Sequence, residues 1–555
     1  MGVAKYMFEK RRFEPLLRGD RPLILIIFLA IFIRIWGLES APFFDENTWI
    51  SSVYYTNLLP HPPLAFMIYN LFTLALGYSL SSFRSMPLTI GLLTIIVTYY
   101  LAKSIYNRRI AIISSLILSF VFYHVWMSLY IDVDGNMLTL SCITTLLFFH
   151  RFEKTRRRKW LFLSGVFLGV GLLSKYPAIL LLPILCLYDF GTNRLKNLKS
   201  ILLLSLVGFA IFSIFPILAF ILGHPTAFTE TLRWGSENIG RMDYANLMVS
   251  IAVSITKLIV FLFQYGTPIL SLFPLYLLIR SEEKDCLLFS YLGVLFFFYT
   301  FVLMGGPKAR YLMPTVPVLA ILSSKAISFQ IKFARRKLVV FAVCFILFSL
   351  IVLALNSYGV QEAFNTRNAK LSLLLENSMF WYSGFASTPF AIHVHSFIFM
   401  VVFSLGLFIF SLKYRNFMAP LLSLAFAFNF FILIQSFYPT IGPAYTKTVN
   451  EMVEFYENAH LNCDRLFLTE KGLLYYFGDE AFHFFEVNGD LIAYGKSLEM
   501  RKLKKEGGGV KGCIFVTYLQ NLKSEKWLRE ILRGCEEIKA FPSNGFDFGY
   551  IYRCN

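Results

Sequence analysis

PLILIIFLAIFIRIWGLESAPFFDENTWISSVYYTNLLPHPPLA, residues 22–65, holds both features that organise this chain. Its first part, 22–38, is an apolar run whose length suits a helix crossing a hydrocarbon core of about 30 Å. Basic residues precede it, and Pro42 directly after Ser40-Ala41 disfavours cleavage there, so the run reads as an uncleaved signal anchor with its N-terminus inside. The next part then lies outside. It carries adjacent carboxylates, Asp45 and Glu46, on an aromatic, apolar background, and His61-Pro62-Pro63-Leu64, whose prolines fix the start of the following helix. Acids so close to a membrane surface are costly and need a reason.

Working outward, the same kind of run repeats. The 555 residues are 57% hydrophobic and only 15% charged, too little charge for a soluble protein of this length. Further spans are expected near 84–105, 110–128, 136–152, 160–174, 177–190, 199–221, 260–280, 286–304, 311–328, 338–356, 393–412 and 417–436. The net charge of +18 sits in the first 440 residues, which hold 37 basic and 18 acidic side chains. Short connections gather it: Lys10-Arg11-Arg12, Arg108-Arg109, Arg156-Arg157-Arg158-Lys159, Arg335-Arg336-Lys337. That is the positive-inside pattern rather than a polyanion-binding face, and nucleic acid is excluded as a partner. The expected fold is a polytopic α-helical membrane protein of about 13 transmembrane helices over 1–440, with its C-terminus outside. The stretch near 64–78 is too short to cross and reads as a half-buried juxtamembrane helix within an outer loop, 39–83.

From about 441 the composition becomes that of a water-soluble domain, with 15 basic and 16 acidic residues. Thr446–Ala459 and Glu525–Arg533 read as helices, and 464–469, 513–518 and 546–554 as strands, which suggests a small extracytoplasmic α/β domain over 441–555. Four of the eight cysteines lie here. Cys463 and Cys513 each begin a strand, and neighbouring parallel strands would bring them together. Cys535 opens the segment 536–540, and Cys554 ends a strand that would run antiparallel to it. Cys463–Cys513 and Cys535–Cys554 are therefore the expected disulfides in an oxidising compartment.

Asp45-Glu46 fits either a cap for a short surface helix or a general base at the outer membrane face. Ile131-Asp132-Val133-Asp134-Gly135 is a second acidic site at the outer start of a span. Asp134 suits a helix cap there, and a DxD can also hold a divalent cation through oxygens. Few basic residues face outside. Lys175 lies in GLLSKYPAILLLP, and Lys308 and Arg310 lie in GGPKARYLMPTVPVLAIL; Arg84 follows the first outer loop. One such cation is ordinary snorkelling, but several beside acids suggest an anionic group, most simply a phosphate. His61 caps the Pro-Pro start or touches that phosphate.

In their order along residues 25–330, FFDE, HPPL, FRSMPLTIGLLTIIVTYYLAK, Tyr130 to Asp134, GLLSKYPAILLLP and RYLMPTVPVLAIL resemble the GT-C superfamily glycosyltransferases that use polyprenyl-phosphate sugars. The similar branch holds the protein O-mannosyltransferases and the lipid A aminoarabinose transferases. The resemblance implies an inverting transfer of a hexose or pentose from a dolichyl or undecaprenyl phosphate to a hydroxyl of a protein, glycan or lipid. Asp45 is implied as the base, with Glu46 positioning the base or the acceptor. Phosphate is already a good leaving group, so cations rather than an acid must hold its charge. Lys175, Lys308 and Arg310 are implied in that role, with Arg84 and His61 behind them. No cofactor is required. A divalent metal on Asp45, Asp132 and Asp134 is the variant, because Asp132 stands where many relatives carry Arg. O-Mannosyltransferases commonly have Lys where this chain has Phe66, and the WWDYG signature of oligosaccharyltransferases is absent.

Two other classes compete. A flippase for a lipid-linked glycan would want broken helices and charges near the midplane, whereas the outside charges here gather at span ends. A receptor module on a membrane anchor would need one span.

Overall fold

The structure of the protein is a computed structural model. It describes residues 20–40, 42, 46–54, 61–132, 135–221, 223–230, 232–233, 247–279, 281–302, 309–330, 339–351, 354, 394–437, 445–459, 461, 463–469, 471–477, 479–487, 490–495, 500–502, 510–517, 526–543 and 546–554.

A helix occupies each apolar run named above. Among the described residues, Leu80–Ile105, Leu198–Ile221 and Glu283–Val302 are long and apolar enough to cross a membrane by length and composition. The first of these has 26 residues and extends about 39 Å at helical rise. Ser79 starts it, its hydroxyl accepting from the Ser82 amide at 3.1 Å, as an N-cap should. Several runs are helices broken in mid-course. Arg108–Phe120 and Phe122–Met127 meet at Val121, where the backbone leaves the helical region.

In apolar surroundings such a break must be repaired. Asn429 does so, its Oδ1 accepting from the Phe122 amide at 2.8 Å and its Nδ2 donating to the Phe120 carbonyl at 2.6 Å. Arg34 donates to the next carbonyl, Ser119, at 2.9 Å, to Ala30 at 3.0 Å and to His124 Nδ1 at 2.9 Å. Nothing in the sequence reading singled out Arg34, although a charge in an apolar run is costly unless its donors are used.

The outward surface is apolar: Phe28, Phe32, Leu74 and Phe220 are each more than 60% exposed. Such a surface suits lipid, not water. The helices pack through small residues as lipid-embedded helices do. A Cβ on Gly165 or Gly169 of the helix Arg158–Ser174 would come within 2.7 Å of Val207 or 2.5 Å of Ile211 on Leu198–Phe212. At the other end, Lys325 pairs with Asp285 at 2.7 Å and Glu282 at 3.2 Å, and Lys103 with Asp20 at 3.0 Å. These ties fix the ends of the helices they join.

From residue 445 the chain builds a sheet flanked by the helices Tyr445–Asn458 and Lys526–Leu532. Its strands among the described residues are β1 (Leu466–Leu468), β2 (Ala481–Val487), β3 (Asp490–Tyr494), β4 (Met500–Lys502), β5 (Gly512–Thr517), β6 (Cys535–Ser543) and β7 (Phe546–Cys554), in the order β4-β3-β2-β1-β5-β7-β6. β1 runs parallel to β2 and β5, and the other pairs are antiparallel. Central β1 is buried on both faces, as a parallel strand is. The sequence reading named β1, β5 and β7 but not β2 to β4 or β6 as a strand. Leu466 lies opposite Cys513, and Cys463 is bonded to Cys513 with Cα atoms 5.6 Å apart. Cys535 lies opposite Cys554 and is bonded to it, Cα atoms 4.3 Å apart.

Candidate active site

Glu46 opens the helix Glu46–Tyr54, where a carboxylate favours the positive end of the helix dipole. Its side chain is buried, and Oε2 lies 3.0 Å from Arg84 Nη2. Oε1 accepts from Arg84 Nη2 at 3.3 Å and from the backbone amide of Ile131 at 2.9 Å. Arg84 Nη1 donates to the carbonyls of Gly37 at 3.1 Å, Leu38 at 3.3 Å and Ser40. Those carbonyls follow the end of Arg21–Ile35, where the freed acceptors and the helix dipole attract a cation.

Arg84 thus donates to a carboxylate and three carbonyls, as a guanidinium 3% exposed needs for its charge and N–H groups. Glu46 answers it: its oxygens accept from Arg84 and from the Ile131 amide, contacts that hold the loop.

The consequence is that the first and second acidic motifs are joined. Ile131 precedes Asp132, which is buried, and the Asp132 carbonyl accepts from the Tyr69 hydroxyl at 3.2 Å. Asp45, one residue before Glu46, lies outside the described residues, as do Asp134 and Lys308. Arg310 belongs to the turn Ala309–Leu312. The three-carboxylate metal variant therefore has only Asp132 among the described residues.

A second cluster lies around Lys175. The helix Arg158–Ser174 stops at Lys175, whose backbone is extended, ahead of Pro177. Lys175 is 7% exposed. Its ammonium lies 3.4 Å from His61 Nδ1 and 5.8 Å from the centre of the Tyr311 ring. With the ammonium donating, Nδ1 accepts. His61 is fixed from both sides. Pro62 restricts its backbone, and the Trp49 indole stacks on its ring at 5.4 Å and 27°. Trp49 also meets Tyr69 at 6.4 Å.

Trp49 was not foreseen as a site residue. The signal available was its place three residues after Glu46, on the same helical face. It connects the two clusters: Glu46, one turn away on its own helix, belongs to the acidic side, and His61 to the cationic side. Chemically, the arrangement offers a desolvated ammonium and imidazole for an anion, close to the helix that Glu46 opens.

A family model described as dolichyl-phosphate-mannose-protein mannosyltransferase matches residues 60–220, a stretch that contains His61, Arg84, Asp132, Asp134 and Lys175. No curated protein matches the sequence significantly. Among solved structures, the chain is similar to ArnT from Cupriavidus metallidurans bound to undecaprenyl phosphate, at 13% identity and a TM-score of 0.57, covering 95% of this chain and 97% of that one. It is similar to the same protein in the apo state at 12% identity and a TM-score of 0.54, over the same shares. The chain therefore has the ArnT fold and is a polytopic helical membrane protein. It resembles the GT-C superfamily glycosyltransferases, in the O-mannosyltransferase and ArnT branch.

Proposed function

We propose that this protein is a membrane glycosyltransferase that moves a hexose or pentose from a polyprenyl phosphate, dolichyl or undecaprenyl, to an acceptor hydroxyl at the outer face of the membrane. The observation that carries this reading is the cationic cluster of Lys175 and His61 joined through Trp49 to the loop that bears Asp45 and Glu46. Undecaprenyl phosphate bound in the ArnT structure supports a lipid phosphate as the ligand.

In the step proposed, the Asp45 carboxylate takes the proton of the acceptor hydroxyl. The acceptor oxygen bonds the anomeric carbon as the bond from that carbon to the phosphate oxygen breaks, with inversion. The electron pair leaves on the polyprenyl phosphate, and the proton stays on Asp45. Lys175 and His61, with Lys308 and Arg310 from the same outer region, hold the growing phosphate charge in a site with little water, where such contacts are strongest. Arg84 and Glu46 serve this step by fixing the loop.

The thirteen-span topology puts the N-terminus inside and residues 441–555 outside as a separate domain. The bonded pairs Cys463–Cys513 and Cys535–Cys554 support that side, since disulfides persist in oxidising compartments.

The test is transfer from a panel of radiolabelled polyprenyl-phosphate sugars in membranes holding wild type or Asp45→Asn, with and without EDTA. Transfer by wild type, lost in the variant with expression intact and unaffected by EDTA, is the expected result. Loss of transfer in EDTA would select the metal variant on Asp45, Asp132 and Asp134. Absence of transfer from any donor, with lipid flipping present, would replace this reading by the transporter.

A further inference from the structure

The sheet that follows the helices does not stand apart from the first outer loop. Between β1 and β2 the chain makes a short 3-10 turn, Lys471–Tyr475, and this turn packs on the helix Glu46–Tyr54. The contact has a definite centre. Tyr475 lies against the cluster formed by Trp49, Ile50, Val53, Phe66, Tyr69 and Phe83, all of them buried. Its hydroxyl meets the backbone at Leu80, the first residue of Leu80–Ile105. One side chain therefore packs its ring on the cluster that the helix Glu46–Tyr54 helps to build and meets the start of the Arg84 helix with its hydroxyl.

Tyr476 stands beside it, rings 5.3 Å apart and nearly perpendicular. Burial raises the Tyr476 phenol well above its usual range, and the Arg84 guanidinium is the charge that opposes the rise, with Glu46 and Glu39 adding to it. Burial and Glu39 raise Tyr475 in the same way. Both hydroxyls are thus neutral near the Glu46–Arg84 pair. The turn itself is secured from behind: Leu473, Leu474 and Phe477 are buried, and Phe477 meets Phe515 of β5 at 5.3 Å.

We propose that Tyr475 is a positioning residue for the transfer: the C-terminal sheet holds the first outer loop through it, pinning the helix Glu46–Tyr54 against the start of Leu80–Ile105. The proposal rests on the function proposed above for what the loop does, but not for the clamp itself. Two elements far apart in sequence, a loop near residue 45 and a turn near residue 475, have to be locked together before Asp45 can meet an acceptor. Near-attack geometry is sensitive to displacements of about 1 Å, which can cost on the order of 100-fold in rate. Lys175 lies beside His61 and Tyr311, and His61 beside Trp49, so the clamp is expected to act on the acidic loop more than on donor affinity.

The experiment uses the full chain in lipid nanodiscs. Hydrogen exchange is followed in peptides covering residues 46–54, and steady-state transfer is measured with the active donor. Tyr475→Ala is expected to raise exchange in 46–54 by about tenfold while the buried spans keep their protection. It is expected to lower kcat by about tenfold with KM for the donor held within about twofold, the pattern of a contact needed in the transition state only. Tyr475→Phe, which keeps the ring, restores most of both. Should Tyr475→Ala fail to fold, Tyr475→Leu keeps apolar volume and carries the same measurements. Unchanged exchange in 46–54, or a loss confined to donor KM, would overturn the clamp. If wild type transfers nothing from any donor, the exchange result still decides the clamp, and only the functional reading falls.

Discussion

Glu46 and Arg84 form an ion pair, Oε2 to Nη2 3.0 Å, with side chains 2% and 3% exposed. Each partner has a second duty. Glu46 accepts from the Ile131 amide, and Arg84 gathers carbonyls at the end of the first helix. The C-terminal end of Arg21–Ile35, the helix Glu46–Tyr54, Leu80–Ile105 and the Ile131 backbone therefore all hang on one contact. A buried pair need not stabilise more than an apolar replacement of the same shape would, but its geometry specifies where the loop goes.

Breaking that pair from one side leaves the other charge buried without its counter-charge, at a cost of about 3–5 kcal/mol. Arg84→Met and Glu46→Leu should each lower the thermal midpoint of the detergent-solubilised protein markedly. The double variant should lose much less than the sum, because neither charge is then stranded. Strictly additive losses would mean that the two side chains do not act as a pair.

Under the function proposed above, Lys175 reads the charge of a lipid phosphate, so Lys175→Ala should weaken binding of undecaprenyl phosphate by roughly 10- to 100-fold, the worth of a charged hydrogen bond. Lys175→Arg should recover part of it, since the charge returns in a different shape. Titration calorimetry in detergent reads both. An unchanged affinity would transfer the phosphate to Lys308 and Arg310.

The class of fold was legible from composition because bilayer thickness constrains helix length so strongly: the run at 22–38 carries the helix Arg21–Ile35, and 84–105 lies within Leu80–Ile105. The site was legible by type rather than by role. Acid and base beside a membrane mark a place worth watching, yet nothing local in sequence says that Arg84 would turn toward Glu46, since 38 positions separate them. Trp49 and Tyr475 were hidden for a related reason. In a chain with 60 Phe and 30 Tyr, an aromatic ring carries no signal until packing gives it a neighbour. Strands β2 to β4 fell in the same gap, for AFHFFEV at 481–487 is an apolar run of the ambiguous length that periodicity cannot assign.

The break at Val121 yields a prediction about stability rather than catalysis. Phe122 and Phe120 offer an amide and a carbonyl that no helix turn uses, and the Asn429 side chain answers both. Asn429→Leu preserves volume but leaves the two groups unpaired in surroundings without water, at about 1–3 kcal/mol for each. Asn429→Asp keeps an acceptor for Phe122 and loses the donor to Phe120, and it adds a charge that the site cannot hydrate. Both variants should lower the thermal midpoint, Asp more than Leu. Because Arg34 holds the neighbouring Ser119 carbonyl, Arg34→Met combined with Asn429→Leu should exceed the sum of the single losses, as the break would then lose its repair on two sides. Differential scanning fluorimetry in detergent reads all four proteins. A melting curve for Asn429→Leu that coincides with wild type would show that the helix closes across Val121 without its partner.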